Sequence, residues 1–126
     1  MNNDIKTMNA IWFSRHRPTA AQLAEIAEKG FSLVALEEGL RLGAVDLADD
    51  TMLESTFAQL EALAADNKAD AVFGVFPAPI QERLASDTLG GVGAPCYASW
   101  NVQRPVEGGK PTFEHRRFCR VGLLAR

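Results

Sequence analysis

The sequence predicts an α/β protein with a mostly parallel sheet flanked by helices, ending in a C-terminal β-hairpin or edge strand. Three observations predict it. Short apolar runs alternate with stretches of helical period. No tight-turn signal joins two such runs before the tail, so the early strands need crossover connections and run parallel. The first apolar run also gives way at once to Ser14, Arg15, His16 and Arg17. Open α/β sheets carry such polar and basic groups at the carboxyl ends of their strands.

Residues 9–13 read as the first strand, with residues 1–7 a polar, disordered lead-in or an alternative start. Thr19 and Gln22 have capping-box spacing and open a helix whose apolar stripe is Ala20, Leu23, Ala24 and Ala27, with Ile26 beside it. Gly30 suits the helix stop. Residues 31–36 are apolar at nearly every position, which predicts a second strand covered on both faces. Residues 37–50, with Gly39 and Gly43, allow a short helical turn or an irregular loop. Thr51 and Glu54 make another capping box, and Leu53, Thr56, Phe57, Leu60, Leu63 and Ala64 share one helical face. Residues 67–70 form the exit turn. Residues 71–76 are a third strand, and a helix from Pro77 to about Ser86 carries Pro79 where a missing N–H is harmless. Residues 89–93 read as a flexible connection and 95–100 as a fourth strand. Residues 101–111 read as a loop, with a hairpin turn at 107–110, and 112–124 as an edge strand.

At 126 residues the chain is one domain, residues 8–126, able to bury a core without staples. No apolar run approaches the roughly 18 residues that span a bilayer, so no membrane association is expected. Cys96 and Cys119 sit in apolar contexts, and with no export signal they read as reduced core residues of a cytoplasmic protein. The net charge of −3 argues against a general binder of duplex nucleic acid. Its distribution is more informative. Residues 21–87 hold only Lys29, Arg41, Lys68 and Arg83 against thirteen acidic residues, whereas residues 104–126 hold six basic and two acidic. With Arg15 and Arg17, positive charge collects at the first turn and the tail, and arginine outnumbers lysine nine to four. A surplus of arginine suits forked contacts to phosphate, though a solubilising surface would look the same.

The first three strand–helix units predict a flavodoxin-like or Rossmann-like order. In it, the carboxyl ends of the first and fourth strands share one edge, and that edge is where a ligand binds. Arg15-His16 after a first strand also suggests a histidine phosphatase, but Arg17 occupies the place where that chemistry needs glycine. The reading that remains is an anion pocket. Arg15 and Arg17 would clamp phosphate, Ser14 would donate a hydrogen bond, and His16 would move a proton or simply face solvent. No glycine-rich dinucleotide fingerprint and no phosphate-binding P-loop is present, and His16, Cys96, His115 and Cys119 are too scattered for a zinc site, so no cofactor or metal is expected. Ser99, Asn101 and Arg104 place a hydroxyl, an amide and a guanidinium after the fourth strand. Trp100 beside them would stack on a base or pack in a core or dimer interface.

Both ends of the chain together resemble the small single-domain CRISPR-associated proteins related to the CARF fold, the stand-alone ring nucleases and cyclic-oligoadenylate binders of type III systems. The residues that carry this are Phe13-Ser14-Arg15-His16, Thr19-Ala20-Ala21-Gln22, Tyr97-Ala98-Ser99 with Arg104 beyond, and Phe113-Glu114-His115-Arg116-Arg117-Phe118. They cover about a third of the chain and both termini; Ser99-Trp100 stands where the family has a Thr-Thr-like pair. The resemblance implies a Rossmann-like, CARF-like homodimer holding a two-fold symmetric cyclic tetra-adenylate across its axis. It implies a metal-independent ring opening by ribose 2′-OH attack, or binding without cutting. Arg15, Arg17 and Arg104 would hold phosphates, Ser14, Ser99 and Asn101 would orient the ring, and His16 would transfer the proton. His115 and Arg117 would serve tail packing and dimer contacts.

Overall fold

A computed structural model describes residues 7–85, 92–105 and 107–121 of the chain. Residues 1–6 of the expected lead-in at 1–7, most of the expected connection at 89–93 and residues 122–124 of the expected edge strand at 112–124 lie outside the described residues. The elements run β1 (Met8–Phe13), α1 (Ala20–Glu28), β2 (Phe31–Leu33), α2 (Leu36–Gly43), α3 (Asp50–Asp66), β3 (Ala71–Gly74), α4 (Ala78–Ala85), β4 (Cys96–Arg104) and β5 (Thr112–Val121). The five strands form one mixed sheet in the order β2-β1-β3-β4-β5. All neighbours are parallel except β4 and β5, which close the sheet as an antiparallel pair. The protein is therefore α/β, with helices flanking a mixed sheet and an antiparallel pair at its C-terminal edge. Among the described residues no helix is long and apolar enough to cross a membrane.

The winding direction reverses between β1 and β3. The chain moves outward from β1 to β2, then returns across β1 to build β3, β4 and β5. Crevices form at the carboxyl ends of strands where this happens.

Side chains along β1 and β3 alternate between two cores, as the two-residue period of a strand requires. Ile11, Phe13 and Val72 pack with Phe57, Leu60, Ile80 and Leu84 from α3 and α4. Trp12 and Phe73 pack with Ile26 of α1 and Phe118 of β5 on the other face. The Phe118 ring meets both Trp12 and Phe73 edge-on. All four β3 residues are buried, which explains why that strand reads as a continuous apolar run.

Four expectations are corrected by the packing. The face of α1 turned to the sheet carries Gln22 and Ile26, while Ala20, Leu23, Ala24 and Ala27 face outward. The cap of α3 is Asp49, whose carboxylate accepts from the Met52 N–H, rather than Thr51. Residues 101–104 continue β4 instead of opening a loop, and a turn at 107–109 precedes β5. Finally, β2 is a three-residue edge strand, Val34 and Ala35 lie outside it, and Leu36, the last residue of that apolar run, starts α2.

The shortness of β2 has a visible cause. It pairs only with the first half of β1, from Met8 to Ala10. Beyond that point α2 takes the vacated edge. A Cβ on Gly39 would collide with the Trp12 carbonyl, and one on Gly43 would collide with the Ser14 carbonyl. The two glycines, four apart on one helix face, let α2 lie against the carboxyl half of β1. That placement fixes one wall of the crevice.

Candidate functional site

The turn after β1 is pinned from inside. The Trp12 indole N–H donates to the His16 carbonyl at 2.8 Å, and the His16 N–H donates to Ser14 Oγ at 3.2 Å. Ser14 is buried, whereas Arg15, His16 and Arg17 are exposed at the mouth. Thr19 then starts α1 with both halves of the capping box. Its Oγ1 accepts from the Gln22 N–H at 3.2 Å, and Gln22 Oε1 accepts from the Thr19 N–H at 2.8 Å.

Gln22 does more than cap. Its Nε2 donates to Ser99 Oγ on β4 at 3.1 Å, which ties α1 across the sheet. Ser99 donates in turn to Asn101 Oδ1 at 2.9 Å, and His115 Nδ1 lies 2.6 Å from Ser99 Oγ. The other imidazole nitrogen, Nε2, meets Glu25 Oε1 at 2.8 Å. The Glu25 carboxylate is itself held by the Phe118 backbone N–H at 3.0 and 3.1 Å, with Lys29 Nζ at 3.5 Å. Burial alone pushes the Glu25 carboxyl up. The Phe118 N–H, His115 and Lys29 outweigh that and hold it below the usual carboxylate range. Glu25 is thus ionised near neutral pH.

A β-bulge aims His115. Trp100 pairs with Arg117 but Asn101 pairs with His115, so Arg116 is the extra residue. The extra residue turns His115 onto the α1 face beside Ser99, where its side chain is 4% exposed. No buried side-chain polar atom among the described residues is left without a partner.

These residues surround a hollow of about 320 Å³ at the carboxyl ends of β1 and β3, where His16, Arg17, Gln22, Asn101 and His115 converge with Ser14, Thr19, Trp12, Val75 and Phe113. A neighbouring hollow of about 370 Å³ shares Ser14, His16 and Val75 and adds Arg15, Gly43, Phe76 and Pro77. His16 therefore stands between two halves of one crevice. A larger hollow of about 490 Å³ lies between α2 and α3, lined by Glu38, Arg41, Gln59 and Asp66 over an apolar floor. Among the described residues no hydrogen-bonded network converges on it, and it is away from the reversal in winding. We therefore take the crevice at the sheet's edge as the candidate site. Its size falls at the lower end of small-molecule pockets, roughly 300–1,000 Å³.

Most of the residues singled out in the sequence meet here. Ser14, His16, Arg17 and Asn101 line the first hollow, Arg15 lines the second, and Ser99 is hydrogen-bonded to Asn101 at the rim. Arg17 is also ion-paired with Glu37 at 2.7 Å, both side chains well exposed, so the pair is labile and worth little. Arg15 has no ion pair among the described residues. Two residues lie elsewhere. Trp100 is on the opposite face of β4 from Ser99, half-exposed, with the Arg117 guanidinium 5.4 Å from its ring centre. Arg104 is ion-paired with Glu114 at 2.7 Å near the tip of the β4–β5 pair and does not line the crevice.

Sequence reasoning missed Gln22 and Glu25 as site-building residues and assigned His115 to packing. Gln22 carried a signal, since a capping-box glutamine keeps a free amide nitrogen. Nothing in the sequence announces the bulge that aims His115. Among the described residues, no three His, Cys, Asp or Glu side chains are grouped to hold a metal ion.

Comparison of the chain with protein-family models, with characterised proteins and with solved structures gives no match.

Proposed function

We propose that the protein binds a cyclic oligoadenylate, cyclic tetra-adenylate first among them, and opens the ring without a metal. In this reading the fold is Rossmann-like of the CARF kind, and two chains pair so that their crevices face one another. The observation that carries the proposal is the convergence of Ser14, Arg15, His16 and Arg17 from the turn after β1 with Asn101 from β4 on one crevice. Nearly every polar group there can donate a hydrogen bond, which suits phosphodiester oxygens. The two halves of the crevice, about 320 and 370 Å³, are too small for a whole four-nucleotide ring, so in this reading the ring is shared between two copies. Phe113 is 70% exposed at the rim and Leu23 is 44% exposed on α1, apolar surface that a second copy would cover.

In the ring opening, a ribose 2′-oxygen attacks the adjacent phosphorus and the bond to the 5′-oxygen breaks. A 2′,3′-cyclic phosphate and a 5′-hydroxyl result. His16 accepts the 2′ proton, and the 5′-oxygen takes up a proton as it leaves. Arg15 and Arg17 stabilise the equatorial oxygens, the latter by leaving Glu37, while Ser14 and Asn101 orient the ring. Chromatography after incubating the pure protein with cyclic tetra-adenylate in EDTA tests this. Linear products ending in 2′,3′-cyclic phosphate are expected, and an intact ring after prolonged incubation with excess protein overturns the enzymatic claim.

A second reading, binding without cleavage, is favoured by Arg104 and Trp100 lying away from the crevice, which leaves fewer groups to stabilise a transition state. Calorimetry giving one ligand per two chains, with the ring recovered intact, selects it. If the cyclic tetramer leaves the melting temperature unchanged while another phosphorylated metabolite raises it, the site serves a different phosphoester.

A further inference from the structure

The chain Glu25–His115–Ser99–Asn101 runs from a buried carboxylate to the wall of the crevice, and each hydrogen bond in it constrains the next. Glu25 is ionised, so His115 Nε2 must carry a proton to meet it at 2.8 Å. Ser99 donates its single proton to Asn101 Oδ1. Ser99 Oγ therefore accepts from Gln22 Nε2 and from His115, whose Nδ1 must then also be protonated. These donor and acceptor roles are the ones a doubly protonated His115 would play. In this state Asn101 Oδ1 faces Ser99 and its NH₂ is left for the crevice.

Removing one proton from His115 reverses the order. With Nε2–H still on Glu25, Nδ1 becomes an acceptor and takes the Ser99 hydroxyl proton. Ser99 Oγ and Asn101 Oδ1, 2.9 Å apart, would then meet as two acceptors. A half-turn of the Asn101 amide removes the conflict, because Nδ2 then donates to Ser99 Oγ. The crevice now meets Oδ1, an acceptor that repels anionic oxygen.

We propose that His115, acting through Ser99, is a positioning residue that sets which end of the Asn101 amide faces the ligand, so that the crevice accepts anionic oxygen only while His115 is doubly protonated. The charged groups around His115 are Glu25, Glu28 and Lys29 from α1 and Arg116 and Arg117 from its own strand. His16 and Arg17 face it across the crevice. Of these charged groups only Glu25 touches the ring, and the other histidine, His16, is separable by substitution. The inference adds a control to the ligand site proposed above, but the amide switch can be measured with no ligand present.

The test is nitrogen NMR of the labelled, full-length protein across a pH titration, with the His115 ring nitrogens reporting that residue's own proton loss. At the acid end both His115 nitrogens should carry protons, and the Asn101 NH₂ should exchange freely with water. As His115 loses a proton, the Asn101 NH₂ signals should shift and become protected. That linked change should persist in His16→Gln and disappear in Ser99→Ala, in which His115 still titrates. An Asn101 signal that ignores the His115 transition in the wild type, or still follows it in Ser99→Ala, overturns the proposal. Cyclic tetra-adenylate should bind about ten-fold more weakly, or worse, above the transition, the scale of a lost hydrogen bond to a charged group. If the ring binds at neither end while the NMR linkage is present, the switch stands and the proposed ligand falls.

Discussion

Substituting Gly43 by alanine probes how α2 shapes the crevice. The added methyl would fall on the Ser14 carbonyl group, with the Ser14 Cα 2.8 Å away. These are backbone atoms at the end of a buried strand, so relief requires moving α2 or the strand end. Overpacking of this kind costs about 1–3 kcal/mol, and contact with backbone places it in the upper half. Alanine recovers up to about 1 kcal/mol of helix propensity, less at the last residue of a helix. The net expectation is a loss of about 2 kcal/mol, or a fall in Tm of about 8 °C for a chain of this length. Urea unfolding and calorimetry check it, and a ligand titration should weaken in parallel because Ser14 and the His16 turn move with the strand end. Gly93 is the control, since no atom of the described residues lies within 4 Å of a Cβ there and its positive φ is what resists substitution. If Gly43→Ala is as stable as the parent, or more so, the close approach of α2 to β1 is wrong.

Three further outcomes follow from the site. The Glu25 carboxyl is held below its ordinary value of 4.5, so its contribution to stability is fully present above that pH and is lost as pH falls through the lowered value. Glu25→Ala should therefore cost about 2 kcal/mol near neutral pH, and the gap to wild type in urea titrations should narrow in acid. His16→Ala should slow ring opening with binding largely kept, whereas Arg15→Ala should weaken binding. Equal loss of both properties in both variants would contradict the assigned roles. Burial pushes the Cys96 thiol up to about 12, against a modest opposing pull from Arg120. Iodoacetamide should leave Cys96 unmodified in the native protein and label it after denaturation, as mass spectrometry would show.

What was legible in the chain was mostly local. The Thr19–Gln22 capping box, the Gly30 stop and the buried face of α3 at Phe57, Leu60 and Ala64 depend on neighbours a few residues away, and all are present. The parallel arrangement of β1 to β4 and the antiparallel partner at the end also followed from the spacing of the runs. Tertiary competition decided the rest. Period alone could not say which side of α1 packs. Gln22 goes inward because its amide satisfies both the Thr19 N–H and Ser99, leaving Leu23 outside. The apolar run at 31–36 had the composition of a strand, but α2 occupies the edge that a longer strand would need. Likewise Asn101 reads as a loop residue until the ten-residue β5 is available to pair with it. His115 depends on the bulge, a property of two strands in register, and so was visible in neither strand alone.

In the proposed function, the crevice at the carboxyl ends of β1 and β3, flanked by Asn101 of β4, is a receptor for a phosphodiester ring. A titration of the isotope-labelled protein with cyclic tetra-adenylate, followed through its amide and side-chain signals, tests this most directly. Saturable changes centred on His16, Gln22, Asn101 and His115, complete at one ring per two chains, are predicted. Unchanged spectra, or changes confined to the hollow between α2 and α3, would contradict it.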